Sequence, residues 1–178
     1  CQPQDSIVDM YKGKFQEPHP WYDNGDYGTA TNPRAQFAAM ITRLDTYVGQ
    51  IIDKLEELGI SEKTLFIFTS DNGPHNEGGA DPTFFNTEER LRGLKRALYE
   101  GGMRVPYIAY WPGTIEAGSI SDLMAAGWDM MPTFVELLGE DTNWREEAMD
   151  GLSILPTLTG KGEQRQHDFL YWEFPEEN

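Results

Sequence analysis

The sequence contains one cysteine, Cys1, so no internal disulfide can brace the fold. That count leaves the redox compartment open. Cationic side chains are also scarce: 14 Lys and Arg face 30 Asp and Glu, for a formal net charge of −16. A chain this acidic lacks the basic surface that nucleic-acid binding requires, so no nucleic-acid partner is expected. No apolar run approaches the roughly 20 residues that span a bilayer, and no transmembrane helix is expected. Repeats and low-complexity tracts are absent. What remains is 178 residues, 39% hydrophobic, enough for one domain with a core. The chain opens on Cys1 rather than Met, carries no signal-peptide pattern, and stops at Glu176-Glu177-Asn178. We expect a piece of a longer protein.

Residues 1–32 are rich in Pro, Gly, Asp and Tyr without periodicity and read as an ordered, irregular loop. Asn32-Pro33 supplies an N-cap and a first-turn proline. Phe37, Met40, Ile41, Leu44, Val48, Ile51, Ile52, Leu55 and Leu58 then recur at helical spacing, predicting an amphipathic helix of about six turns. Gly59 ends it, and the face with Arg43, Asp53, Lys54 and Glu57 should be solvated. Leu65–Thr69 reads as a strand buried on both faces. Residues 73–104 show no convincing strand or long helix, and a loop that long is usually functional or disordered. Val105–Trp111 reads as a second strand, with Pro106 at its start. A third short strand is expected at Leu123–Gly127, then a helix from Met130 to Leu138 capped by Asp129. Asp150-Gly151 opens a turn into a short helical segment at 154–158, and Asp168–Phe174 reads as a last strand.

The chemistry gathers where the first strand ends. Ser70-Asp71-Asn72-Gly73-Pro74-His75 puts a carboxylate beside a carboxamide at a strand's carboxyl end, where open α/β sheets gather ligands. Their hard oxygens suit Ca²⁺ or Mg²⁺ better than zinc. Taken alone, Asp-Asn-Gly is more often a plain turn. Arg90, Arg92, Lys95, Arg96 and Arg104 concentrate positive charge in the same loop, which runs into Tyr99-Glu100-Gly101-Gly102. Charge clusters are generally solvated faces. A divalent cation with Lys or Arg nonetheless stabilises a tetrahedral oxyanion ester during transfer. A phosphate or sulfate ester therefore fits better than a peptide or neutral sugar. His19 and His167 are expected to be exposed, and Glu100 and Arg104 to form a structural pair.

The ordered series Thr69-Ser70-Asp71-Asn72-Gly73-Pro74-His75, Arg92-Gly93-Leu94-Lys95-Arg96, Leu98–Pro106 and Trp111-Pro112-Gly113 resembles the formylglycine-dependent sulfatases (arylsulfatases). Asp129–Thr133 and Asp150–Ser153 continue the resemblance, which covers the chain from about residue 33. It implies an alkaline phosphatase-like α/β fold, a mixed and mostly parallel sheet flanked by helices. The chain would be the C-terminal portion of such a catalytic domain, with residues 1–32 a substrate-side loop and 33–178 the α/β core. It implies that Asp71 and Asn72 ligate Ca²⁺, in preference to Mg²⁺, and that Lys95 is catalytic and contacts the substrate's sulfate. His75 is a substrate-contact candidate; the family's catalytic histidine lies upstream of the region where this chain begins.

The family's nucleophile is a formylglycine made from Cys or Ser in Cys/Ser-x-Pro-Ser/Ala-Arg. Cys1-Gln2-Pro3-Gln4-Asp5 keeps only the Cys and Pro, so Cys1 is rejected and the formylglycine is expected upstream. The implied activity is hydrolysis of a sulfated small molecule or glycan by the whole protein, with the isolated chain inactive and periplasmic or secreted export following from the resemblance. Nothing in the sequence sets the oligomeric state. A phosphoryl or phosphonyl ester hydrolase of the same superfamily is an alternative, although such relatives more often pair Asp with His where this chain has Asp71-Asn72. A non-catalytic module retaining the fold is another, and a partly folded fragment a third.

Overall fold

The computed structural model describes residues 5–22, 28–87, 91–139 and 149–174. The chain divides into two compact units. One comprises Cys1–Ile60, Thr69–Tyr107 and Phe174–Asn178, the other Ser61–Phe68 and Ile108–Glu173.

The first unit is helical. A short helix α1 (Asp5–Asp9) lies within the segment expected to be irregular and packs on α2 (Pro33–Glu57). Proline at the start of α2 fits its first turn, where the missing N–H has no partner to lose. Asn32 occupies the N-cap position but its side chain does not cap. Glu17 replaces it: its two carboxylate oxygens accept the backbone N–H groups of Arg34 and Ala35, both at 2.9 Å. A carboxylate there satisfies open donors and complements the helix dipole. The Arg34 side chain pairs with Asp81 at 2.6 Å, donates to the Gln16 carbonyl, and lies over the Phe84 ring at 3.7 Å. One arginine thus ties residue 16, α2 and the start of α3 (Pro82–Phe85) together.

The core of this unit is Val8, Ala35 and Ala39, flanked by Ile7, Tyr11 and Phe15. Phe15, Phe37, Phe84 and Phe85 extend it with ring centroids 5.0–5.8 Å apart. The apolar stripe of α2 is buried only near its start. Ile41 is 50% exposed and Ile51 49%. The periodicity read the helix correctly but not its cover, because α1 and these aromatic rings reach only the first turns. Leu58 closes the helix and Gly59 follows at φ +66°.

In the second unit, β1 (Phe66–Thr69) pairs with β2 (Tyr107–Tyr110) in a two-stranded sheet, the terminal residues of each falling in the first unit. The Trp111 indole N–H donates to the Glu62 carbonyl at 2.8 Å. β1 is half-buried rather than buried on both faces. Leu123–Gly127 and Asp168–Phe174 form no strands. At the first of these, the Ala126 N–H is committed to the Asp129 carboxylate, and Gly127–Asp129 coils into a 3-10 turn instead of a ladder. At the second, Trp172 packs on Trp128 with centroids 5.5 Å apart.

Asp129 organises this unit. It is fully buried, and its carboxylate accepts from Ala126 N at 2.7 Å and Leu152 N at 2.8 Å and meets His167 Nε2 at 2.8 Å. It was expected to cap the helix α5 (Met130–Leu137), yet it makes no side-chain bond to that helix. His167, expected to be exposed, has a side chain only 12% accessible because Asp129 holds it. Thr133 extends the staple, donating to the Asp129 carbonyl at 2.6 Å and accepting from Ile154 N at 2.9 Å, just before α6 (Leu155–Thr159). His19 is exposed, as expected.

Two predictions follow from these anchors. Asp129→Ala strands two part-buried N–H groups and His167, and should lower unfolding stability by about 2–3 kcal/mol. A urea titration followed by Trp128 and Trp172 fluorescence measures this, and a loss below about 1 kcal/mol would contradict the staple. The Arg34 hydrogen bond, aided by the Phe84 N–H, holds the Asp81 carboxyl below its ordinary value of 3.8, against the opposing effect of burial. A depressed folded pKa stabilises above the ordinary value and is lost as pH falls through the folded one. Asp81→Asn should therefore flatten the part of the stability profile below about pH 4 that wild type shows.

Candidate functional site

Within the first unit, the residues after β1 turn sharply. Ser70 Oγ donates to the Asn72 carbonyl at 2.9 Å, Asn72 Nδ2 donates to the Gly73 carbonyl at 3.0 Å, and Thr69 Oγ1 reaches the Pro106 carbonyl at 2.9 Å. With its Nδ2 occupied by the backbone, Asn72 has Oδ1, the atom a hard cation takes, on the other side of its amide. Asp71 is exposed and makes no ion pair or side-chain hydrogen bond among the described residues.

This turn is laced to the second half of the loop by backbone. Gly73 N donates to Gly102 O at 2.9 Å, and Lys95 N donates to Pro74 O at 2.8 Å. Gly101 N reaches Arg92 O at 2.8 Å, folding 92–102 back on itself. The approach leaves no room for side chains. A Cβ on Gly73 would lie 1.8 Å from the Gly101 oxygen, and one on Gly101 would lie 2.2 Å from the Gly93 oxygen. The paired glycines 101 and 102 begin α4 (Glu100–Met103) and are buried. Their role is close packing of backbone on backbone.

Asp71, Asn72 and His75 line one cavity of about 450 Å³, together with Ser70, Arg104, and Phe37 and Ile41 of α2. The metal candidates and the histidine are therefore brought together. Lys95 is not among the lining residues. Its backbone is bonded to Pro74, and its ammonium pairs with Glu77 at 3.3 Å. His75 Nδ1 accepts from the Glu77 N–H at 3.1 Å. Because a backbone N–H can only donate, the proton of the neutral ring sits on Nε2.

The basic cluster is not one patch. Arg92 stacks over Tyr99 at 3.9 Å, Arg96 pairs with Glu77, and Arg104 pairs with Glu100 at 3.5 Å. Arg90 lies outside the described residues, as does Cys1. The Glu100–Arg104 pair is as expected, but Arg104 also lines the cavity. Sequence reasoning missed Glu77; its signal was a lone carboxylate two residues after His75, facing a cation-rich stretch.

Asp71 and Asn72 offer the oxygen donors a hard divalent cation prefers, side by side on one wall. Ca²⁺ takes about six to eight oxygens, so this pair supplies only part of a coordination shell. Among the described residues no group of three or more His, Cys, Asp or Glu could hold a metal on its own.

Residues 13–140 match the family model described as Sulfatase. The chain belongs to the sulfatase family. N-acetylgalactosamine-6-sulfatase of Mus musculus is 37% identical over 147 residues, covering 80% of this sulfatase chain and 26% of the relative. Arylsulfatase A of Homo sapiens is 33% identical over 182 residues, covering 99% and 34% respectively. Among solved structures, Ps i-CgsB in complex with k-i-k-neocarrahexaose superposes with a TM-score of 0.66 at 26% identity, covering 88% of this chain and 30% of that one. The fold class is α/β, the alkaline phosphatase-like fold of solved sulfatases, represented by part of a domain. The chain spans about a quarter to a third of the length of the relatives it matches. No helix among the described residues is long and apolar enough to cross a membrane.

The glycine contact makes a direct prediction. Gly73→Ala must push residues 101–102 away, destabilising the protein by about 1–3 kcal/mol, as overpacking does. Amide hydrogen exchange should show the loss of protection concentrated at Gly73, Lys95 and Gly102. Unchanged protection there would contradict the close approach.

Proposed function

We propose that this chain is the C-terminal part of a sulfatase catalytic domain and that the whole protein hydrolyses sulfate esters. The observation that carries this reading is the placement of Asp71 and Asn72 on one cavity wall, in a turn bonded to the segment bearing Lys95. In this reading Asp71 and Asn72 provide two of the oxygens around Ca²⁺, and the other ligands come from outside these 178 residues. When bound, Ca²⁺ supplies Lewis acidity at the sulfate oxygens, and a formylglycine from the same missing portion supplies the nucleophile. Lys95 is the residue that offsets charge on the transferring sulfuryl group or the leaving oxygen. Its distance from the cavity wall is a side-chain matter, since its backbone is fixed one hydrogen bond from Pro74. His75 lines the same cavity and is the candidate side-chain contact to the substrate.

One relative is named for an N-acetylgalactosamine sulfate, another is an arylsulfatase, and a solved structure holds a neocarrahexaose, so the substrate class proposed is a sulfated glycan or a sulfated small molecule. Relatives of this kind are commonly exported, so a periplasmic or secreted location is part of the proposal. Asn72 favours sulfate over phosphate, because phosphoryl-transfer relatives more often carry His at that position.

The test is a comparison of matched aryl sulfate and aryl phosphate esters with the full-length protein. The sulfate should be cleaved preferentially, activity should be lost on chelation and restored by Ca²⁺, and the 178-residue chain alone should be inactive. Asp71→Ala and Lys95→Ala should each lower kcat/KM by about 100-fold or more. Preferential phosphate cleavage would establish the phosphoryl alternative, and cleavage of neither ester would favour a non-catalytic module.

A further inference from the structure

We infer that Glu77 is the positioning residue for Lys95 and sets the strength with which this site holds an anion; the inference rests on the role given to Lys95 above. Lys95 carries a long, flexible stem whose ammonium needs a partner to stay in one place. Glu77 is that partner, at 3.3 Å, and the same carboxylate also pairs with Arg96. The pair is shielded: the side chains of Glu77 and Lys95 are 21% and 30% accessible. It is therefore screened less than an ion pair on open surface.

Glu77 is itself well anchored. Its N–H is bonded to His75 Nδ1 at 3.1 Å, and its carbonyl accepts from Ala80 N at 3.1 Å. Gly78 and Gly79 follow at φ +62° and +81°, left-handed backbone that lets the chain turn back at once. One residue thus orients both the His75 ring, through its backbone, and the Lys95 ammonium, through its side chain. It does so from a loop that packs by backbone on the segment bearing Lys95, so the two ends of the ion pair move together.

The charge has a second consequence. An arriving sulfate ester brings an anion that competes with Glu77 for the same ammonium. Glu77 therefore weakens anion binding while it orders Lys95 for the step in which charge develops. Positioning and affinity are opposed, and removing the carboxylate should move them in opposite directions.

The experiment uses the full-length protein. Glu77→Gln should lower kcat by about tenfold, the range for losing a residue that orients a reacting group. It should also tighten inhibition by inorganic sulfate about tenfold, the effect of deleting one negative charge some 6 Å from a dianion in a water-like medium. In a Lys95→Ala background the same substitution should leave kcat unchanged, because the effect passes through Lys95. Glu77→Asp keeps the charge but withdraws its reach by one methylene, so kcat should fall without tighter sulfate inhibition. It also decides the matter if Glu77→Gln does not fold. Glu57→Gln, which removes a charge from the exposed Lys54 pair, should change neither quantity.

Unchanged kcat and sulfate inhibition in Glu77→Gln would overturn the inference. So would a fall in kcat accompanied by weaker sulfate inhibition, or one that persists without Lys95. If wild type cleaves no sulfate ester, the sulfatase reading fails, and calorimetric titration with inorganic sulfate still decides the role of Glu77. Tighter sulfate binding by Glu77→Gln would support it, and equal or weaker binding would overturn it.

Discussion

The candidate site depends on one close approach of backbone to backbone. Gly73 donates to Gly102 across a gap in which no Cβ could stand, and Lys95 donates to Pro74 one step further on. These bonds register a turn bearing two hard oxygen donors against a segment bearing a lysine. Without them, Asp71-Asn72 would be an ordinary polar turn and Lys95 an ordinary loop cation. The requirement falls on glycines because every neighbour within reach is a carbonyl or a Cα, and none can rotate away as a side chain could.

Each unit uses the same device for its irregular segments, a buried or half-buried carboxylate that collects backbone N–H groups. Glu17 holds the start of α2, and Asp129 holds residues 126 and 152 and the ring of His167. Loops rich in Pro and Gly make few hydrogen bonds of their own, so their polar groups must be met by side chains. Glu77 extends the pattern to the candidate site, where its carboxylate meets cations instead. These carboxylates come from an acidic chain, and part of that acidity serves the interior.

Much of this was legible in the sequence where it rests on local chemistry. The helix from Pro33, the strand before Asp71, and the Asp-Asn pair at its end all follow from periodicity, turn residues and donor type. So did the family, since the series of motifs from Thr69 to Ser153 is ordered and specific. What could not be read were long-range contacts. Asp129 looks like a helix cap from its neighbours, and only the fold brings Leu152 and His167 to it. The segments at 123–127 and 168–174 have strand-like composition, but β propensity is realised only by pairing, and neither segment pairs with β1 or β2. The exposed stripe along α2 has the same origin: an amphipathic pattern states that a face prefers burial, not that these residues bury it. Glu77 was missed because its partners, Lys95 and Arg96, lie 18 and 19 residues further on and only the fold brings them to it.

The central claim is that Asp71, Asn72 and Lys95 act on one sulfated ligand. The most direct measurement is a crystal structure of the full-length protein with Ca²⁺ and inorganic sulfate. The account predicts oxygens of Asp71 and Asn72 at about 2.3–2.6 Å from the cation. It also predicts the Lys95 ammonium within hydrogen-bond distance, roughly 2.7–3.2 Å, of a sulfate oxygen. A cation bound without Asp71 and Asn72, or a sulfate held with Lys95 turned away, would contradict it.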